Sequence, residues 1–87
     1  MQKVEIHTTQ WCPYCHAAKA LLEDKGVDYD EVDVSDRSKR EAMIQKAHGR
    51  RTVPQIWIGG RHVGGYDDLA ALDRRGQLDA MLRDEAA

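Results

Sequence analysis

The feature that most constrains this chain is a change of spacing among its apolar residues. In VEIHT (4–8), Val4 and Ile6 share one face and polar residues the other, the period of a strand. From Pro13 to Lys25 the period becomes helical, with Ala17, Ala18, Leu21 and Leu22 on one face and Gly26 as the stop. VDYDEVDV (27–34) returns to alternation and reads as a second strand. A β–α–β unit of this length closes right-handed, with its strands parallel.

A second helix is expected over about 38–48. Ser38 and Glu41 form a capping box, Met43, Ile44 and Ala47 make the buried stripe, and Gly49 ends it. VPQIWI (53–58) is apolar and rich in strand formers, and Gly59-Gly60 is a two-residue hairpin signal leading into RHVGG. The last two strands are therefore antiparallel. A third helix starts around Asp67 with Leu69 and Leu72 as core contacts, and Gly76 interrupts it. Leu78, Met81 and Leu82 suggest a short final helix, and the DEAA tail is expected to fray.

These elements assemble into an α/β fold. A four-stranded mixed sheet of order 2-1-3-4, with helices on both faces, puts strand 1 in the interior. Cys12 then lies beyond the C-terminal end of that strand, the edge where open α/β sheets bind ligands.

At 87 residues the chain has room for a single domain, 1–87, with a modest core. No window is apolar over the ~20 residues a membrane span needs. The start, MQKVEIHTT, lacks the apolar run of a signal peptide, so a soluble cytoplasmic protein is expected. The net charge of −2 argues against nucleic-acid binding. Residues 23–33 carry six acids and 37–51 six bases, which are solvated faces or, for the basic block, an attraction for anions.

Both cysteines lie in WCPYCH (11–16), two residues apart. In a reducing compartment such a pair is transient and catalytic rather than a staple. Pro13 suits the first turn of the helix, which puts Cys12 at its N-terminus. There the helix dipole, free backbone N–H groups and a basic side chain, Lys19 or Arg51, favour the thiolate that attacks disulfides. Cys15, one turn further in, is the sheltered partner that can resolve a mixed disulfide. Zinc would need four ligands, and His7, His16, His48 and His62 are scattered singly. A redox pair on a β–α–β unit is the favoured reading, with no metal.

Two further segments bear on the site. Thr52-Val53-Pro54 opens a strand near the CxxC edge. A cis Val53–Pro54 bond would free the Val53 backbone to pair with an extended peptide, whereas a trans proline would simply begin an edge strand. Gly64-Gly65 before a helix start allows an anion to approach the backbone, and Asp67 or Asp68 can cap that helix or hold an ammonium group.

Together, CPYC after a first strand, TVPQIWI and GGYDDL resemble the glutaredoxins, in particular small bacterial dithiol members, over about residues 3–83. The resemblance implies the thioredoxin fold and a glutathione-dependent reductase of protein disulfides and protein–glutathione mixed disulfides. It makes Cys12 the nucleophile and Cys15 the resolving thiol. It makes glutathione a co-substrate held by Tyr14, Arg51, Thr52, Val53, Pro54, Gly65, Asp67 and Asp68. It implies no tightly bound cofactor, a monomer, ribonucleotide reductase as a family substrate, and recycling through glutathione reductase and NADPH. Three departures stand out. Thr9 replaces a lysine common three residues before the first cysteine, a loss that Arg51 would offset. Trp11 precedes Cys12 where a smaller residue is usual, and Tyr66 stands where many relatives have cysteine. The competing readings are a relative reduced by thioredoxin reductase, which would carry a WSGF-like segment in place of GGYDD, and an iron–sulfur cluster carrier, which would carry a CGFS-like site.

Overall fold

The computed structural model of the chain describes residues 1–83. Its elements run β1 (Val4–Thr8), α1 (Pro13–Asp24), β2 (Asp30–Asp33), α2 (Arg37–Lys46), β3 (Gln55–Ile58), β4 (Arg61–Gly64), α3 (Tyr66–Arg74) and α4 (Leu78–Leu82). The expected frayed tail lies outside the described residues. The sheet has the order β2-β1-β3-β4, with β1 parallel to β2 and antiparallel to β3, and β3 antiparallel to β4.

Register explains the two-sided core. Val4 stands opposite Ile58 and Ile6 opposite Ile56, so all four share one face. They pack with Ala18 and Leu22 of α1, Leu69 of α3, and Leu78 and Leu82 of α4. Glu5 stands opposite Trp57 on the other face, where Trp57 meets Val34, Met43 of α2 and Ala47 just beyond that helix. Each large aliphatic buried this way contributes about 1.5–3 kcal/mol. Helices thus cover both faces of a mixed sheet, the thioredoxin fold. Gly59 and Gly60 both adopt positive φ, 59° and 81°, as the tight hairpin between β3 and β4 requires.

Local differences from the expected elements have local causes. The second strand begins at Asp30, not Val27, because the Val27 N–H closes the end of α1 on the Leu22 carbonyl. The cap of α2 is Asp36, whose carboxylate accepts from the Lys39 N–H at 3.0 Å. Ser38 donates to that same carboxylate at 2.6 Å, and Glu41 faces Arg37, so the expected Ser38–Glu41 box does not form. The third strand begins at Gln55, after Pro54, which has no N–H to give the ladder.

Candidate active site

The loop after β1 delivers Cys12 to the N-cap of α1, where its backbone is still extended and Pro13 opens the helix. Two hydrogen bonds hold the sulfur. The Cys15 N–H donates to Cys12 Sγ at 3.1 Å, and the Cys12 thiol donates to the Val53 carbonyl at 3.6 Å. Negative charge on this sulfur would face a backbone donor and the positive end of a helix. Both cysteines are free thiols. They are unequal, since Cys12 keeps 9 % of its surface exposed and Cys15 none. Burial pushes the Cys15 thiol up, and its contact with Cys12 adds to the effect.

Lys19, expected near the cysteines, is held by an acid. Its ammonium pairs with Glu31 at 2.9 Å, and the same carboxylate accepts from the Thr8 hydroxyl at 2.6 Å. The Thr8 hydroxyl first, and then Lys19, hold the Glu31 carboxyl below its ordinary range.

Beside the cysteines runs an open groove. One wall is Tyr14 from the first turn of α1, another is Arg50, Thr52, Val53 and Pro54, and the far end is Gly65, Tyr66, Asp67 and Asp68 at the start of α3. The Val53–Pro54 bond is cis. Asp68 Oδ2 accepts from the Gly65 N–H at 2.9 Å and from Arg50 Nη1 at 3.2 Å. The Gly65 N–H chiefly, with Arg50 adding, holds the Asp68 carboxyl below the usual range. Beneath the groove lies Gln55, fully buried. Its amide nitrogen donates to the Thr52 carbonyl at 3.0 Å and hydroxyl at 3.2 Å, while its oxygen takes the His62 Nε2 proton at 2.7 Å.

The structure therefore brings Cys12, Cys15, Tyr14, Thr52, Val53, Pro54, Gly65, Asp67 and Asp68 to one edge of the sheet. Arg51 is not among the residues that line the groove, and its neighbour Arg50 is. The Arg51 carbonyl is tied to Arg40 Nη2 at 2.9 Å. Gln55 was also missed, although one polar residue in the apolar run VPQIWI was its signal. The four histidines have separate occupations: His7 meets Glu5, His16 the Gln10 carbonyl, His62 Gln55, and His48 the His62 ring. Among the described residues no cluster of three potential metal ligands forms.

A family model described as Glutaredoxin matches residues 4–63. The chain belongs to the glutaredoxin family. It is 54% identical over 82 residues to a glutaredoxin of Pseudomonas aeruginosa, covering 94% of this chain and 98% of that one. It is 55% identical over 84 residues to glutaredoxin 3 of Escherichia coli, covering 95% of this chain and all of that one. Among solved structures, a Brucella melitensis glutaredoxin superimposes with a TM-score of 0.86 at 46% identity, covering all of this chain and 95% of that one. A buckwheat glutaredoxin–glutathione complex gives 0.86 at 31% identity, covering 95% and 78%. Family and fold make this glutaredoxin a thiol–disulfide oxidoreductase, with Cys12 and Cys15 as its redox-active pair. No helix of the described residues is long and apolar enough to cross a membrane.

Proposed function

We propose that this glutaredoxin uses glutathione to reduce protein disulfides and protein–glutathione mixed disulfides. The observation that carries the reading is the hydrogen bond from Cys12 to the Val53 carbonyl, which joins the reactive sulfur to the groove. Glutathione is a short peptide with a carboxylate at each end and an ammonium at one. The Gly65 backbone at the start of α3 suits its γ-glutamyl carboxylate, and Asp67 and Asp68 suit the ammonium. Val53 offers its backbone to the cysteinyl part, with Tyr14 and Thr52 as side walls. Arg50, 3.2 Å from Asp68, adds positive charge at the γ-glutamyl end of the groove.

In the reaction the Cys12 thiolate attacks the glutathione sulfur of a mixed disulfide. The Cys12–glutathione bond forms, and the substrate cysteine leaves as a thiolate and is protonated. A second glutathione then attacks the glutathionyl sulfur, which frees Cys12 and releases oxidised glutathione. Alternatively Cys15 attacks Cys12 and expels glutathione, leaving an internal disulfide. The Cys15 N–H, 3.1 Å from Cys12 Sγ, faces the sulfur that is the attacking thiolate in the first step and the leaving thiolate when the second glutathione attacks. The close relation to bacterial glutaredoxins and the buckwheat glutathione complex support the same reading.

The test is a reductant comparison. Coupled to glutathione, glutathione reductase and NADPH, the protein should turn over a small glutathione mixed disulfide. Cys12→Ser should abolish turnover, whereas Cys15→Ser should keep it but lose protein-disulfide reduction. Faster reduction by thioredoxin reductase than by glutathione would overturn the proposal.

A further inference from the structure

Trp11 has no part in the chemistry above. It sits in the turn between β1 and α1, one residue before Cys12, and is 86 % exposed. Among the described residues the other large apolar side chains left in water are Tyr14, at 63 %, and Met1. Two of these three therefore flank Cys12 in the chain. Exposed apolar surface beside a reactive group marks an interaction site. Tyr14 lines the groove and Trp11 does not. A tripeptide lying in the groove would leave the indole uncovered.

We infer that Trp11 is the docking contact for the protein half of a glutathionylated protein. The inference rests on the glutathione reading proposed above. When Cys12 attacks the glutathione sulfur, the Cys12–glutathione S–S bond forms as the glutathione–protein S–S bond breaks. The protein's cysteine leaves as a thiolate and takes a proton from solvent. Attack proceeds along the axis of the breaking bond, so the leaving sulfur stands outside the groove, about 4 Å from Cys12 Sγ, two S–S bond lengths. Cys12 keeps only 9 % of its surface exposed, so its sulfur does not reach out to meet a distant partner. The partner's surface must come down until it touches what rims Cys12 outside the groove, and Trp11 is the large apolar group there. Tryptophan is suited to this, since its ring gives much contact area for little loss of side-chain freedom. The occupant is a folded or unfolded chain that presents apolar surface next to its modified cysteine.

The experiment compares wild type with Trp11→Ala on two glutathione-bearing substrates, the glutathione–cysteine mixed disulfide and glutathionylated serum albumin. KM for the albumin should rise about 5–10-fold, with kcat and the small-substrate constants within about twofold, and Trp11→Phe should recover most of the loss. Equal losses on both substrates would make Trp11 a support for the site, and no loss on albumin would remove it from recognition; either overturns the inference. Should wild type fail with the small disulfide, the glutathione reading fails first and carries this inference with it. A concentration-dependent dimer in sedimentation, abolished by Trp11→Ala, would make the occupant a second copy and overturn it as well.

Discussion

The Cys15 N–H points at Cys12 Sγ across 3.1 Å, so the backbone of one cysteine supports the sulfur of the other. Their side chains are treated oppositely. Cys12 keeps a little of its surface exposed, while burial and then the Cys12 contact drive the Cys15 thiol up to about 12. In the reduced protein at pH 8, iodoacetamide should alkylate Cys12 well before Cys15, since a fully buried thiol with a raised pKa forms little thiolate and is hard to reach. The sign for stability follows. A raised thiol contributes stability fully below its unfolded value and loses it as pH rises through the folded one. The Cys15 contribution should therefore decline from the ordinary thiol value near 9 and be gone above about 12. Timed alkylation read by mass spectrometry checks the rates, and comparable labelling of both sites would refute the asymmetry.

Asp68 closes the start of α3 on the Gly65 N–H and also holds Arg50 in the groove wall. Its carboxyl is depressed, so its stabilising contribution is present above the unfolded carboxylate value near 4 and fades as pH falls through the lower folded one. Asp68→Ala should cost on the order of 0.5–1 kcal/mol at pH 7, a figure kept small because the side chain is 46% exposed. The difference from wild type should shrink below about pH 4. The same variant should raise KM for glutathione mixed disulfides several-fold. Denaturant melts at pH 7 and pH 3 test the first claim, and a constant difference across that range would contradict it.

Gly64 lies under the same ion pair. Its φ is 117°, which side chains rarely adopt, and a Cβ there would run into Asp68 Oδ2 and come within 2.6 Å of Arg50 Nη1. Gly64→Ala should therefore do more than strain the backbone, because it pushes apart the two side chains that shape the far end of the groove. A loss of about 1–3 kcal/mol is expected, with weaker glutathione binding as well. Gly76→Ala is the control: its φ of 71° is also positive, but a Cβ there meets nothing within 4 Å. It should lose stability while leaving KM unchanged. If the two variants behave alike in KM, the contact with Asp68 and Arg50 is not what matters.

The order of elements was legible because each rests on local chemistry. Apolar spacing marks β1 and α1, and Gly59-Gly60 turns β3 into β4. The site was legible where a motif encodes backbone geometry, as with Cys12 at a helix start or Gly65 before α3. What sequence could not decide was the direction of individual side chains. Arg50 and Arg51 are equivalent as letters, and only the folded chain shows that Arg50 is the one paired with Asp68. Ser38 and Glu41 have the spacing of a capping box, but Asp36, two residues earlier, competes for the same helix start and wins. Cis and trans at Pro54 were equally open, because an X–Pro bond has only a small preference between them.

Gln55 gives the last prediction. It is buried, and its amide can be oriented only one way, since the nitrogen faces two Thr52 oxygens and the oxygen faces His62. His62 is in turn stacked on Trp57 at 4.9 Å, and burial, followed by the charge of Arg50, pushes its ring toward the neutral form. The chain from β4 through β3 thus ends on Thr52 in the groove wall. Gln55→Met keeps the volume and removes the hydrogen bonds to Thr52 and His62, at a cost of about 0.5–1.5 kcal/mol for each bond lost. Gln55→Glu keeps the shape but sets a carboxylate against the Thr52 carbonyl, and should be the worse of the two at pH 7. KM for a glutathione mixed disulfide should rise several-fold in both variants. His62→Phe, which keeps a ring on Trp57 and removes only the distal donor, should show a smaller loss in the same direction. Thermal melts and steady-state kinetics on the three variants decide it. A Gln55→Met protein with wild-type Tm and KM would show that Thr52 is held by its own loop and not from beneath.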